Sequence, residues 1–371
     1  MKYREFGKLG IKVSALGFGC MRFPVTDPKD PKKIDEKEAV AMLRKAIDSG
    51  VNYIDTAWPY HGGESEPLVG RALQDGYREK VYLATKLPMW LVQKTEDFDT
   101  FLNEQLKRLQ TDHIDFYLLH ALNKERWQTV LDCGILKKLE EAKADGRIRY
   151  AGFSFHDDSE TFHKIVDGYD KWDFCQIQYN YINTDMQAGT EGLHYAAEHG
   201  LGVIVMEPLL GGKLANVPEQ LAKALDPSRK PVQWALDFLW SQPEVSLLLS
   251  GMSTMEQVDD NLALASESEV GSLTAADYEM LKHAKYVFET MARVPCTKCA
   301  YCMPCPFGLE IPKIFEAYNQ TASKSMKDAK ELYDTLEKKA DCCRRCRHCE
   351  KECPQHIEIS KVMSDVAAVF A

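Results

Sequence analysis

Four ionisable side chains stand at or just past the ends of apolar runs: Asp55, Tyr60, Lys86 and His120. The run from Val51 leads to Asp55, and Pro59, Tyr60 and His61-Gly62-Gly63 follow it. Lys86 closes Val-Tyr-Leu-Ala-Thr-Lys, and His120 closes Ile-Asp-Phe-Tyr-Leu-Leu-His. Taken singly, each has a plain structural explanation: a carboxylate caps a strand end, a lysine reaches water, a histidine packs. Taken together they suggest one piece of chemistry. A phenol has a reference pKa of about 10 and donates its proton poorly near neutrality. An ammonium beside it favours the phenolate and makes the hydroxyl more acidic. The expected roles follow. Lys86 tunes Tyr60, Asp55 keeps Lys86 charged and in place, and Tyr60 acts as general acid at a developing alkoxide. His120 donates a hydrogen bond to the carbonyl oxygen. That set suits a small-molecule carbonyl or alcohol substrate. None of the four supplies hydride, so a nicotinamide cofactor, NADP or NAD, is implied.

Twelve cysteines form the second chemical signal. Cys20, Cys133 and Cys175 are scattered, while nine lie between residues 296 and 353. The N-terminus, Met1-Lys-Tyr-Arg-Glu-Phe6, has no apolar export stretch, which predicts a cytoplasmic protein and favours metal over disulfides. Residues 343–354 read C-x₂-C-x₂-C-x₃-C-P, and residues 296–306 differ by one residue in the last gap. Three close cysteines wrap one face of a cubane, and the fourth, followed by proline, reaches the other cluster. The spacing predicts two [4Fe–4S] clusters. Cys296, Cys299, Cys302 and Cys353 would hold one; Cys343, Cys346, Cys349 and Cys305 would hold the other; Cys342 is spare. The competitor is structural zinc, which prefers two separated C-x₂-C pairs. The pattern resembles bacterial-type ferredoxin modules, with Ile311-Pro312 and His356-Ile-Glu-Ile359 reinforcing a pseudo-repeat. Helices are expected at Ile311–Asn319 and Lys327–Lys339. Two roles stand open: cross-linking of a thin core, or one-electron exchange with a ferredoxin- or flavodoxin-like redox partner. Arg344, Arg345 and Arg347 would face such an acidic carrier, or merely offset the cluster thiolates. No flavin signature bridges two-electron hydride and one-electron transfer.

These residues need elements to hold them. Apolar runs predict strands at Ala15–Met21, Val51–Ala57, Val81–Leu87, Ile114–Ala121, Tyr150–His156, Phe174–Asn180, Gly202–Leu209 and Ser246–Met252. Amphipathic segments alternate with them, as in Ala39, Met42, Leu43, Ala46 and Ile47 before Gly50. Further helices are expected near 64–75, 97–110, 134–145, 159–167, 189–199, 230–241, 255–265 and 274–289. Residues 1–14 read as a hairpin around Gly7 and Gly10. Eight strands alternating with helices predict an α/β fold, a (β/α)₈ TIM barrel, with chemistry at the carboxyl ends of its strands. An open doubly wound sheet is the runner-up, but Gly17-Phe-Gly19 lacks the third glycine of a dinucleotide turn. The expected division is residues 1–285 for the barrel and 286–371 for a small α-helical ferredoxin-like domain.

The order Asp55, Tyr60, Lys86, His120 resembles the catalytic tetrad of the aldo-keto reductases. The likeness runs from Tyr3-Arg-Glu-Phe-Gly-Lys-Leu-Gly10 to about residue 265. It includes Gly-Phe-Gly-Cys-Met21, Asp-Thr-Ala-Trp-Pro-Tyr60, Gly63-Glu-Ser-Glu66, Gln176-Ile-Gln-Tyr-Asn180 and Asn261. The resemblance implies an NAD(P)-dependent oxidoreductase binding its cofactor in extended form across the barrel mouth. It implies that Ser154 and Gln176 hold the nicotinamide amide and that Met21, Pro208 and Leu209 line the groove. Gly251, Ser253, Thr254, Gln257 and Asn261 resemble the adenosine-phosphate end. Three departures stand out. Phe155 and His156 follow Ser154 where many members have Asn; Met206 stands where many stack a Tyr; Gly251 and Gln257 replace the Lys and Arg that many use for the 2′-phosphate. Losing two cations removes charge-assisted bonds to that phosphate, so a weakened preference for NADP is expected. The loops Pro24–Pro31, Pro88–Lys94 and Leu122–Thr129 are expected to set specificity, with Trp90 and Trp127 as pocket or packing residues.

Composition narrows the function classes. The 371 residues are 45% hydrophobic with formal charge −10, enough for one large domain plus a smaller one. From Met291 onward there are 13 Lys and Arg against 11 Asp and Glu, net +2, which leaves −12 for the rest. An acidic barrel argues against nucleic acid, and no apolar run approaches the length of a membrane span. A reading of another class is a nicotinamide-sensing electron-transfer component. A full Asp-Tyr-Lys-His set weighs against it, because a sensor need not keep the acid.

Overall fold

The apolar runs become strands, and the segments with 3–4 spacing become helices, in a computed structural model of the chain that describes residues 1–291, 293–323 and 326–370. β1 (Tyr3–Glu5) and β2 (Lys12–Ser14) pair antiparallel as the expected hairpin. The next eight strands are β3 (Leu16–Gly19), β4 (Tyr53–Asp55), β5 (Tyr82–Leu87), β6 (Ile114–Leu122), β7 (Ile148–Phe155), β8 (Phe174–Gln178), β9 (Gly202–Met206) and β10 (Val245–Gly251). They close in the order β10-β3-β4-β5-β6-β7-β8-β9. Every neighbouring pair is parallel. β10 pairs with β3, Leu248 opposite Leu16 and Gly251 opposite Gly19, so no edge is left and the open-sheet alternative falls.

Helices lie between the strands because their apolar stripes need a surface to cover. In Glu36–Asp48 the buried residues are Ala39, Met42, Leu43, Ala46 and Ile47, and the Asp35 side chain caps the first turn by accepting from Glu38 N. Bulky side chains fill the barrel interior. The Phe6 ring, fully buried, meets Phe116 at 5.0 Å and Phe174 at 6.0 Å between centroids. The hairpin thus plugs the barrel floor with one aromatic side chain.

One loop expectation fails. Much of Leu122–Thr129 is helical, in a helix spanning Lys124–Asp132. The Asn123 side chain accepts from Arg126 N at 2.8 Å and Val130 is buried, so a cap and a packed apolar residue override modest local propensity.

The chain divides into two compact units: Met1–Pro208 with Leu236–Leu273, and Leu209–Ala235 with Thr274–Ala371. In the second, the helices Ile311–Ser323, Met326–Asp334 and Ile359–Val369 surround a core that includes Ile314, Phe315, Tyr333, Leu336, Met363 and Val366. The helix expected to reach Lys339 stops at Asp334. Thr335 Oγ1 donates to Leu332 O at 2.7 Å, and Tyr333 OH accepts from Ala340 N at 2.8 Å, which folds the chain back. Among the described residues no helix is long and apolar enough to cross a membrane.

Candidate active site and cysteine cavities

Parallel closure places the carboxyl ends of β4, β5 and β6 side by side. Asp55 is the last residue of β4 and lies opposite Ala84 of β5; Lys86 of β5 lies opposite Leu118 of β6. Lys86 is 1% exposed and Asp55 2% exposed, so the pair sits out of water. Lys86 Nζ donates to Asp55 Oδ1 at 2.6 Å, to Thr56 O at 2.9 Å and to Tyr60 OH at 3.3 Å. The Tyr60 ring meets the His120 ring edge-on at 6.3 Å, and Trp90 lies 5.0 Å from His120 on another side. The four side chains named from the sequence therefore converge, and Trp90, 40% exposed, joins them. Trp127 does not: it packs on Trp172 at 6.4 Å.

Electrostatics modify the expected tuning. Burial, with the Asp55 carboxylate second, pushes the Tyr60 phenol well above its ordinary value. The net direction in the resting site is thus opposite to the acidic phenol expected: burial and the Asp55 carboxylate outweigh what Lys86 contributes from 3.3 Å. Burial raises the Asp55 carboxyl too, while Lys86 acts in the opposite direction. Burial first, then Lys86, His156 and Arg126, hold His120 well below the ordinary imidazole value. Tyr60 thus keeps its proton and His120 is neutral at pH 7. Three of the expected site residues each have a buried polar atom without a partner: Asp55 Oδ2, His120 Nδ1 and Gln176 Oε1.

A buried network behind β5 had no sequence signal beyond Glu66 within Gly63-Glu-Ser-Glu66. Glu66 Oε1 accepts from Thr85 Oγ1 and from Gln105 Nε2, each at 2.7 Å. Gln105 Nε2 also donates to Lys86 O at 3.0 Å, and Gln105 Oε1 accepts from Tyr117 OH at 2.8 Å. Gln105 lies on the helix Asp97–Leu109, so one side chain ties that helix to the strand residue that carries the ammonium.

The model for the family described as "Aldo/keto reductase family" matches residues 15–284. The chain belongs to the aldo/keto reductase family. It is an oxidoreductase of the NAD(P)-dependent class to which that family belongs. L-galactose dehydrogenase of Arabidopsis thaliana is 27% identical over 316 residues, covering 78% of this chain and 95% of that protein. The uncharacterised oxidoreductase YqkF of Bacillus subtilis is 27% identical over 299 residues, 72% of this chain and 92% of that one. Among solved structures, the holo form of aldo-keto reductase AKR11C1 from Bacillus halodurans superposes with a TM-score of 0.64 at 28% identity, over 76% of this chain and 96% of that chain. An aldo/keto reductase from Klebsiella pneumoniae, solved with NADP and acetate, gives 0.61 at 27%, over 76% and 94%.

In this aldo/keto reductase, Ser154 of β7 lies opposite Gln176 of β8. Ser154 Oγ accepts from Ala121 N at 2.7 Å, which leaves its own hydrogen to donate. Met21 lies in the turn Cys20–Arg22 after β3, and Pro208 and Leu209 follow β9. Gly251 ends β10, and Thr254 caps the helix Met255–Glu267 by accepting from Gln257 N at 3.2 Å. Ser253 N donates to Gln257 Oε1 at 2.8 Å, and Asn261 Nδ2 to Ser250 Oγ at 3.0 Å. Arg22 was not anticipated. Its Cγ lies 2.7 Å from where a Cβ at Gly251 would stand, and its carbonyl accepts from Ser253 Oγ at 2.7 Å. An arginine stem therefore fills the space that a side chain at 251 would take. Only the spatial meeting of β3 and β10 reveals it.

The cysteine-rich segments line two cavities. Cys296, Cys299, Cys302 and Cys353 line one, with Ile311, Phe315 and Ile357. Cys305, Cys343, Cys346 and Cys349 line the other, with Leu309, Ile311, Ile359 and Met363. None of the eight is in a disulfide. Among the described residues, no three His, Cys, Asp or Glu side chains converge on a position for one metal ion. Burial, then its neighbours Cys299, Cys296, Cys353 and Cys349, pushes the Cys302 thiol up to about 12. Burial, then Glu350, Cys343, Cys346 and Cys305, pushes Cys349 up to about 11. The backbone repeats between the halves. Lys298 and Arg345, each two residues after the first cysteine, have φ of 59° and 52°; Ala300 and Arg347, four after it, have 64° and 58°. Gly308 and His356, three after the last cysteine, have 78° and 48°.

Proposed function

We propose that this reductase interconverts an aldehyde or ketone with its alcohol, using NADP or NAD, with Tyr60 as general acid and base. The observation that carries the reading is the buried lysine that donates to both Asp55 Oδ1 at 2.6 Å and Tyr60 OH at 3.3 Å. The residues fit a nicotinamide. Gln176 Oε1, buried and without a partner, suits the amine of a carboxamide, and the Ser154 hydroxyl suits its carbonyl. When bound, that cofactor supplies hydride. The chain's own part is proton handling and placement. Tyr60, un-ionised, gives its proton to the oxygen as charge develops there. Lys86 then stands 3.3 Å from the phenolate it must stabilise. Neutral His120 orients the carbonyl oxygen through one N–H, and Trp90 offers an apolar wall. The Tyr60→Phe variant tests this. Carbonyl turnover should fall by about 10²-fold or more, while NAD(P)H affinity, read by fluorescence, stays within about threefold. Retained turnover would remove Tyr60 from the role.

We further propose that the C-terminal cysteines hold two [4Fe–4S] clusters in a ferredoxin-like arrangement. Quartets spread around two cavities suit a bulky group better than one zinc ion. The left-handed residues at matching positions support this reading. Backbone N–H groups next to such residues form concave anion-binding nests, and a thiolate-ligated cluster is an anion. One-electron capacity is what such clusters supply.

A further inference from the structure

We propose that the surface around the second cysteine cavity is the docking site for a small acidic one-electron carrier protein. The proposal rests on the iron–sulfur reading above and adds which cavity a partner meets, and what partner.

The two cavities differ. In the first, the loop that carries the quartet is tied down by another part of the chain. Lys213 Nζ donates to the carbonyl of Cys296, and Thr297 is 1% exposed. Gly211, at φ 65°, lies so close that a Cβ there would stand 2.4 Å from Thr297 O; only glycine fits. Pro354 and Gln355, which line the same cavity, are buried. The segment after β9 therefore holds the loop of the first quartet.

The second cavity has the exposed cysteine and the basic rim. Cys346 is exposed, as are Arg344, Arg345 and Arg347. Arg344 and Arg347 line the cavity, together with Phe307, which is 39% exposed. From Lys338 to Lys351 there are six Lys and Arg against two carboxylates, in a chain of net charge −10. One of the two, Glu350, is engaged at both oxygens: Oε1 accepts from Ser360 N at 2.7 Å and Ser360 Oγ at 2.6 Å, and Oε2 stands 3.9 Å from Arg347 Nε. Arg345 is steadied by Ser364, whose Oγ accepts from Nη2 at 3.1 Å. An exposed aromatic on the same cavity lining as two arginines has the composition of a protein-binding surface. A concentrated positive field on an otherwise acidic molecule steers an acidic partner to that spot and repels it elsewhere. In the exchange, one electron leaves the carrier and one enters the iron–sulfur group; no bond forms or breaks.

The test uses the full chain, purified anaerobically with iron and sulfide measured, and a reduced acidic bacterial flavodoxin as probe. Stopped-flow absorbance follows electron arrival at rising salt, and NMR of the labelled flavodoxin reports its binding. The expected result is a rate that falls steeply with salt. It should drop about tenfold or more in the combined Arg344→Gln, Arg345→Gln, Arg347→Gln variant. Reduction by dithionite should stay the same. The single Arg345→Gln variant, away from the cavity lining, should lose about threefold and guards against misfolding of the triple variant. A rate indifferent to salt and to these substitutions, in protein that carries its iron, would overturn the docking surface alone. The arginines would then serve only to offset cluster charge. Protein that takes up no iron would overturn the iron–sulfur reading and this inference together.

Discussion

Burial sets the protonation states around Lys86 more than its charge does. Burial first, and the Asp55 carboxylate second, keep the Tyr60 hydroxyl un-ionised, which is the state a reducing acid needs. The sign of the pH dependence follows. A phenol pushed upward by burial keeps its proton past its ordinary value, so carbonyl reduction should be flat through neutrality and decline only in strong base. Alcohol oxidation needs the phenolate and should rise with pH. His120, pushed downward, stays neutral as pH falls and adds no acidic limb near its ordinary value. Measured kcat/KM profiles in both directions check this. A limb in the reduction profile at about 6.5 would mean that His120 titrates normally and would remove burial as the cause of its neutral state.

A strand end is only as fixed as what stands behind it. Gln105 holds the Lys86 carbonyl at 3.0 Å, the Glu66 carboxylate at 2.7 Å and the Tyr117 hydroxyl at 2.8 Å, all buried. Gln105→Leu would leave all three short of a partner. The expected cost is about 2–5 kcal/mol in urea unfolding. Gln105→Glu, which keeps the shape but sets a second carboxyl beside Glu66, should be destabilising at neutral pH and recover toward acid. Burial already raises the Glu66 carboxyl, and protonation relieves the pair. A Leu variant as stable as the parent would show that the network carries no load. None of this could be read from Gln105 in the sequence, where it is one polar residue on an amphipathic helix.

Taken whole, the chain has one core large enough to stand on its own and one that is thin. The cysteine-rich unit buries Ile314, Phe315, Met363 and Val366 around cavities lined by eight thiols. If those thiols hold iron, binding energy is folding energy. Chelating iron from the reduced protein should then strip hydrogen-exchange protection from Ile311–Ser323 and Ile359–Val369 while β3 to β10 keep theirs. Unchanged protection in both helices would show that the unit folds without metal.

Much of this was written along the chain. Eight apolar runs with helices between them admitted a closed parallel barrel, and strand-end chemistry at Asp55, Lys86 and His120 survives because period and polarity are local properties. Cysteine spacing grouped two quartets because ligands to one cluster come from loops of set length. Other features needed the fold, because they join residues far apart in sequence. Arg22 meets Gly251, Gln105 reaches Lys86, and Lys213 binds the carbonyl of Cys296 across 83 positions. The protonation of Tyr60 belongs with these: a pKa is set by burial and distance, and the closed barrel mouth that buries this phenol beside the Asp55 carboxylate exists only in three dimensions.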